Sequence, residues 1–312
     1  MNLLRETHFN NLGEQKIGKV RDIYIQPDKI ILVSTDRHSS FDRIIAHIPH
    51  KGQLLNQISA FWFDATKDII SNHFLEVPDP NVLVAKKCTP LPIEMVVRGY
   101  MTGVTGTSLW VNYSKGQRDF GNFTLPDGMV KNQKLEIPVI NPTTKSDEHD
   151  QPITPKEILE QNLVSKEVWD EVADKSIKLF IRGREIAEKA GFILVDTKYE
   201  FGIDESGRVV LIDEIHTPDS SRFWQKAVYE ERFAKGEEPE YFDKEFLRLW
   251  FKDNCDPYND PVLPEAPKEM VEELSKRYIM IYEGITGNKF IGAGENENII
   301  DRIENNLKKF NV

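Results

Sequence analysis

Apolar and polar positions alternate along residues 16–25 and 29–34, with the turn triplet Gln26-Pro27-Asp28 between them. The pattern predicts a β-hairpin that carries Gly18. From 52 to 70 the spacing changes: Leu54, Leu55, Ile58, Phe61, Ala65 and Ile69 recur at helical intervals. Two apolar runs, 82–85 and 93–97, follow as expected strands, joined by a stiff connection through Pro90 and Pro92. Residues 116–152 are rich in Gly, Asn, Asp, Pro and Thr without periodicity, which predicts loops with short strands. Thr154-Pro155-Lys156-Glu157 has the capping-box pattern with proline at the first helical position. A helix is expected over 165–190, with Gly191 after it. The runs 192–197 and 208–212 form a second expected hairpin, and 229–312 is mostly helical in pattern with a proline-rich break at 256–267.

A chain of 312 residues exceeds the usual single-domain size, so two lobes are expected, with 39% hydrophobic residues to fill their cores. The formal charge of -11 works against polyanions, which excludes nucleic acid as an expected partner. Cys88 and Cys255 are too few for a disulfide framework or a four-ligand zinc site. No run has the roughly 20 apolar residues of a membrane span, and the first twelve residues lack a signal peptide's apolar stretch. No membrane partner is expected, and the expected address is the cytoplasm.

The densest chemistry lies in Ile193-Leu194-Val195-Asp196-Thr197-Lys198-Tyr199-Glu200-Phe201-Gly202. On a strand, a period of two puts Asp196, Lys198 and Glu200 on one face. A hairpin to 208–212 brings Asp213 or Glu214 close to that face. Such hard oxygen ligands suit Mg²⁺, which takes one or two carboxylates and completes its sphere with phosphates and water. The simpler alternative is a solvated strand face with paired charges.

Other segments offer anion sites. Gly18, Lys19 and Arg21 belong to the first hairpin, where a glycine-bearing turn folds over phosphates, although the Walker A spacing is absent. Lys86 follows a β run, as a lysine reaching a nucleotide phosphate does. In the polar cluster 35–43, Asp36, Ser39 and Asp42 are candidates to hydrogen-bond a ribose or an amine. Arg98 precedes Thr102, Gly103, Gly106, Thr107 and Ser108, a set of amides and hydroxyls suited to phosphate. Asp219 and Arg222 follow the acidic end of the second hairpin.

Together these segments resemble the SAICAR synthetase family over about residues 13–225, with a C-terminal extension like that of its longer, single-function members. The most specific part is Leu194 to Gly202, which matches the signature of two apolar residues before D-x-K-x-E-F-G. Leu91-Pro92-Ile93-Glu94 through Arg98 matches a second signature. The family usually closes its arginine signature with T-G-S, whereas here Val104-Thr105-Gly106-Thr107 stands between Gly103 and Ser108. Ser108 is taken as the phosphate hydroxyl, with Thr107 or Thr105 as substitutes.

The resemblance implies an α/β (α+β) fold with an ATP-grasp-like cleft between two lobes. The expected division is an ATP lobe at 1–90, a substrate and metal lobe at 91–228, and a helical extension at 229–312 packed on the central lobe. It implies that ATP and Mg²⁺ drive the joining of L-aspartate to carboxyaminoimidazole ribonucleotide, giving ADP and phosphate through an acyl phosphate. Gly18, Lys19, Arg21 and Lys86 would then serve the ATP phosphates, and Glu94 the adenine-side strand. Glu200 and Asp213 would hold Mg²⁺. Arg98, Ser108 and Arg222 would grip the ribonucleotide phosphate, while Asp196 and Lys198 face the imidazole carboxylate. Lys145 and Asp150 would lie where ATP and substrate meet. A small-molecule kinase and an ATP-binding regulator without turnover are the alternative readings, and the sequence leaves the oligomeric state open.

Overall fold

The computed structural model describes residues 2–145, 151–293 and 298–312. Its N-terminal part opens with β1 (Glu14–Ile17), β2 (Arg21–Ile25) and β3 (Lys29–Ser34). The expected single hairpin is thus a three-stranded meander, because the run 16–25 holds a turn in its middle, closed by Gly18 N–H donating to Arg21 O at 2.8 Å. A small hairpin of β4 (Arg37–Ser40) and β5 (Arg43–His47) follows. Its turn residues Phe41 and Asp42 both have positive φ, 54° and 57°, which matches the right-handed strand twist.

Helix α1 (Lys51–Ala65) buries Leu54, Leu55, Ile58, Trp62 and Phe63. It stops short of residue 70, where Thr66 Oγ1 donates back to Trp62 O at 2.7 Å. Strands β6 (Phe74–Asp79) and β7 (Val82–Lys86) complete an antiparallel sheet in the order β1-β2-β3-β7-β6. Strand alternation gives this sheet two apolar faces. Leu32, Leu83 and Ala85 join the main core with α1, whereas Tyr24, Ile31, Val33, Val82 and Val84 point the other way.

The second sheet is built on two twelve-residue strands, β8 (Thr89–Tyr100) and a later partner. Pro90 and Pro92 lie inside β8 rather than in a connection before it. The Pro92 carbonyl accepts from Lys145 N–H at 3.0 Å, so both prolines turn their missing donors to the outer edge of the strand, where a ladder hydrogen bond is dispensable. After α2 (Leu109–Ser114), strands β9 (Lys134–Ile140) and β10 (Thr143–Thr144) pair with that edge. Both bonds of the expected capping box start α3 (Pro155–Glu160). Helix α4 (Lys166–Lys189) buries Trp169, Val172, Leu179, Phe180 and Ala187 beneath the sheet. The long partner of β8 is β11 (Phe192–Ile203), flanked by β12 (Val209–Ile212) and β13 (Ser221–Gln225).

The C-terminal segment forms α5 (Lys226–Ala234), α6 (Glu245–Asn254), α7 (Lys268–Thr286) and α8 (Ile299–Leu307). It packs on more than one part of the fold. Helix α7 lies against α1 and α4, and α8 covers the second face of the N-terminal sheet with Ile303 and Leu307. Leu4, Phe9 and Leu12 of the N-terminal segment pack on the same face, and α8 completes its cover. Among the described residues, no helix is long and apolar enough to cross a membrane.

Arg302 clasps α8 to the sheet, with Nε 2.8 Å from Asp79 Oδ2 and Nη2 2.7 Å from Asn81 Oδ1. The Asp79 side chain is fully buried, so losing the guanidinium strands a charge. Arg302→Met is expected to lower stability by about 3 kcal/mol in urea unfolding. A change within 0.5 kcal/mol, the usual range for a surface substitution, would show the clasp to be dispensable.

Candidate active site

The register of β8 against β11 builds the site. Asp196 pairs with Arg98, Lys198 with Val96 and Glu200 with Glu94. The three charged residues of β11 therefore share one face, as the period of two requires, and Glu94 and Arg98 share it with them. Lys198 Nζ sits 2.5 Å from Glu94 Oε1 and 2.9 Å from Glu200 Oε1. Lys145, just past β10, pairs with the other oxygen of Glu200. Thr143 Oγ1 donates to Glu94 Oε2 at 2.8 Å. Burial alone would raise the Glu200 pKa, but Lys198 and Lys145 outweigh it and hold it below the usual carboxylate range. Burial would lower Lys198, yet Glu200 and Glu94 carry it well above its ordinary value.

The end of the second hairpin closes one side. Asp213, in a left-handed conformation with φ 64°, follows β12, whose Ile212 lies opposite Glu200. Burial pushes the Asp213 carboxyl up, reinforced by Glu200 and Glu214 and opposed by Arg21. Arg21 opens β2 just after the glycine turn. Strand alternation turns it inward from β2, with Nη1 3.0 Å from Asp213 Oδ1 and Nη2 2.7 Å from Glu214 Oε2. It ties the N-terminal sheet to the acidic end of the hairpin. The glycine turn is clamped from below by Arg37, which donates to Gly18 O at 2.9 Å and Lys19 O at 3.2 Å and pairs with Asp22 at 2.8 Å. Lys19 at the turn is exposed and pairs with Asp42 on the tip of the β4–β5 hairpin.

A second cationic centre adjoins the first. Arg222 on β13 lies opposite Asp196, with Nη1 2.6 Å from Asp196 Oδ2, and Arg98 Nη1 is 3.7 Å from the same oxygen. Arg98 also donates to Thr107 O at 3.1 Å and Asn141 Oδ1 at 3.3 Å, fixing it against the turn 103–108. Burial lowers the Arg98 pKa to about 10, with Asp196 opposing, so the guanidinium remains charged at neutral pH. Ser108 caps α2, accepting from Val111 N–H at 3.4 Å. Gly103, at φ +105°, packs so closely that a Cβ there would stand 2.4 Å from Ser108 Cβ and 3.3 Å from Arg222 Nη2. Despite the four residues that precede Ser108, the fold brings it together with Gly103, Arg98 and Arg222.

Several candidates lie elsewhere or are engaged otherwise. Lys86 is exposed at the end of β7, in a cleft of about 320 Å³ with Asn72, Asp204 and Arg208. Asp36 accepts from Leu4 N–H at 2.8 Å and Gly52 N–H at 3.0 Å, and burial lifts its pKa to about 6. It anchors the N-terminal segment and the start of α1. Ser39 is buried in the β4 ladder opposite Ile44. Asp219 is gripped by Lys51 and Lys244, each at 2.7 Å, which hold its pKa down against its burial. Glu94, expected at the adenine-side strand, contacts Lys198 and Thr143. Asp150 lies outside the described residues. The residues that sequence reasoning passed over are Arg37, Lys51, Asn141 and Thr143. Their roles depend on partners distant in sequence, so none carried a local signal.

Known proteins are similar to this chain. A family model described as SAICAR synthetase matches residues 14–264. The phosphoribosylaminoimidazole-succinocarboxamide synthase of Legionella pneumophila strain Paris is 55% identical over 298 residues, covering 96% of either chain. A solved structure titled SAICAR-synthase from Saccharomyces cerevisiae complexed SAICAR matches with a TM-score of 0.79 at 33% identity, covering 93% of this chain and all of that one. Another, titled SAICAR synthetase (Type-2) in complex with ADP, matches at 0.68 and 28% identity over 89% of this chain and all of that one.

The facing carboxylates give a pH prediction. In Lys198→Met, Glu94 and Glu200 confront each other without their shared ammonium, so stability should fall by about 2 kcal/mol at pH 7. Glu200 is held below its ordinary value of 4.5 in the native chain, so its stabilising contribution is complete above that pH and is lost as the pH falls further. The gap between the native chain and the variant should therefore narrow below about pH 4.5 in urea titrations. A gap independent of pH would uncouple Lys198 from these carboxylates.

Proposed function

The chain belongs to the SAICAR synthetase family, and from that premise we infer which of its residues perform the family's reaction. It is an ATP-dependent carbon–nitrogen ligase of purine biosynthesis that joins L-aspartate to carboxyaminoimidazole ribonucleotide, giving SAICAR, ADP and phosphate. The observation that carries the residue assignments is the single face of β8 and β11, on which Glu94, Lys198 and Glu200 adjoin Arg98 and Asp196. It sets a carboxylate and ammonium cluster for nucleotide chemistry beside a guanidinium pair for a phosphate monoester.

A carboxylate lacks a leaving group, so amide formation requires its activation. The substrate carboxylate attacks the terminal phosphorus of ATP, the bond to the bridging oxygen breaks, and ADP departs from an acyl phosphate. The aspartate amine then adds to the acyl carbon, loses a proton and expels phosphate. Lys198 is assigned to neutralise the substrate carboxylate, and Lys145 to stand where that carboxylate meets the nucleotide. Most of the rate enhancement comes from positioning and charge neutralisation. The Gly18 turn, fixed by Arg37, covers the ATP phosphates with Lys19, which exchanges Asp42 for phosphate.

The acidic residues fit Mg²⁺. Glu200 and Asp213 are hard oxygen donors close enough to influence each other's protonation, and a nucleotide-borne Mg²⁺ takes one or two such carboxylates. When bound, the ion neutralises phosphate charge. Arg98, Arg222 and the Ser108 hydroxyl grip the ribonucleotide phosphate. Asp196 keeps the two guanidinium groups together rather than touching substrate.

The decisive assay measures ADP release with Mg-ATP and carboxyaminoimidazole ribonucleotide, with and without L-aspartate, together with the succinocarboxamide product. ADP and product are expected in equal amounts and only with aspartate. ADP without that product would point to a kinase, and bound ATP without turnover to a regulator. Glu200→Gln is expected to retain the fold and to raise the Mg²⁺ concentration needed for half-maximal rate by about tenfold. An unaltered Mg²⁺ requirement would remove Glu200 from the metal site.

A further inference from the structure

The C-terminal segment reaches the arginine centre through one residue. Glu245, in the first turn of α6, is 1% exposed. Its Oε2 lies 3.5 Å from Arg222 Nε and 3.2 Å from Arg248 Nη1. The other side of the Arg222 guanidinium is held by Asp196, which takes Nη1 at 2.6 Å. The remaining nitrogen, Nη2, faces the turn 103–108, where a Cβ on Gly103 would stand 3.3 Å from it. A guanidinium is a rigid planar fork, so a carboxylate hydrogen-bonded to Nη1 and another ion-paired beside Nε constrain where Nη2 points.

The same segment secures the strand that carries Arg222. Phe242 N–H donates to Phe223 O at 2.8 Å and Gln225 N–H to Glu240 O at 3.0 Å. Asp243 accepts from Phe223 N–H at 2.8 Å and from Glu245 N–H at 2.8 Å. Backbone and side chain are thus fixed by one stretch, 240–245.

We propose that Glu245 is a positioning residue for the substrate, orienting Arg222 so that Nη2 meets a phosphate monoester in the Gly103–Ser108 turn. The proposal rests on the reading of Arg222 as a phosphate grip. A carboxylate gains nothing from contact with a phosphate, so Glu245 acts through the guanidinium. It gives the C-terminal segment a part in substrate selection. If Glu245 only favoured the N-terminus of α6 electrostatically, its loss would affect stability and leave ribonucleotide affinity alone.

Steady-state kinetics on the full chain, Glu245→Gln, Arg222→Met and the double variant tests this. Glu245→Gln should raise KM for the ribonucleotide about tenfold while kcat and the KM for ATP stay within about twofold. The double variant should be no worse than Arg222→Met, because both remove one contact. Glu245→Asp, which keeps the charge at shorter reach, should recover part of the loss. Equal changes in both KM values, an unchanged ribonucleotide KM, or multiplying losses in the double variant would overturn the assignment. Should Glu245→Gln not fold, an unaltered ribonucleotide KM in Glu245→Asp would overturn it too. If the native chain makes no succinocarboxamide, the ligase reading fails as well. If it does, only the role of Glu245 is at stake.

Discussion

Two carboxylates directly opposite each other in a strand pair repel, and the register of β8 on β11 puts Glu94 opposite Glu200. Everything at the centre of this molecule answers that conflict. Lys198 bridges the pair, Lys145 takes the far oxygen of Glu200, and Thr143 donates to Glu94. A slip of one residue would turn the whole charged set into the core on the other side. The apolar residues between them, Tyr199 and Phe201 on β11 and Met95 and Val97 on β8, are buried and prevent the slip. The core thus holds in place an arrangement of charge that it would otherwise exclude.

The site draws on every part of the chain. The N-terminal sheet sends Arg21 to Asp213 and Glu214, and α1 sends Lys51 to Asp219. The C-terminal segment sends Lys244 to Asp219 and Glu245 to Arg222. Ion pairs thus run between segments far apart in the chain. Buried ion pairs of this kind add little net stability but make a half-satisfied alternative costly. Their contribution is to fix one geometry.

Much of this was legible locally. The shared face of Asp196, Lys198 and Glu200 follows from strand periodicity alone, and the α3 capping box and the extent of α4 from local chemistry. What was illegible depends on distant partners. The cluster 35–43 reads as ligand-binding because it is polar, yet Asp36 spends its oxygens on Leu4 and Gly52 amides, and Arg37 serves the glycine turn. Arg21 sits within two residues of Lys19, but the pleat sends the two side chains to different neighbours. Glu245 stands in an ordinary helical pattern, and no local signal connects it with Arg222. The prolines of β8 mimic a linker because their tolerance depends on which edge of the strand faces β10.

The closing of the N-terminal sheet by α8 has a consequence for biogenesis. Tyr24, Ile31 and Val33 leave the ribosome early with Leu4, Phe9 and Leu12, but the rest of their cover, Ile303 and Leu307, follows much later, and Val312 N–H donates to Asn11 O at 3.0 Å. At roughly 5–20 residues per second, that apolar face waits on the order of tens of seconds for its partner. During that interval it is a surface for chaperones to bind. A chain lacking α8 would keep its charged centre while part of the apolar face of its N-terminal sheet stayed open.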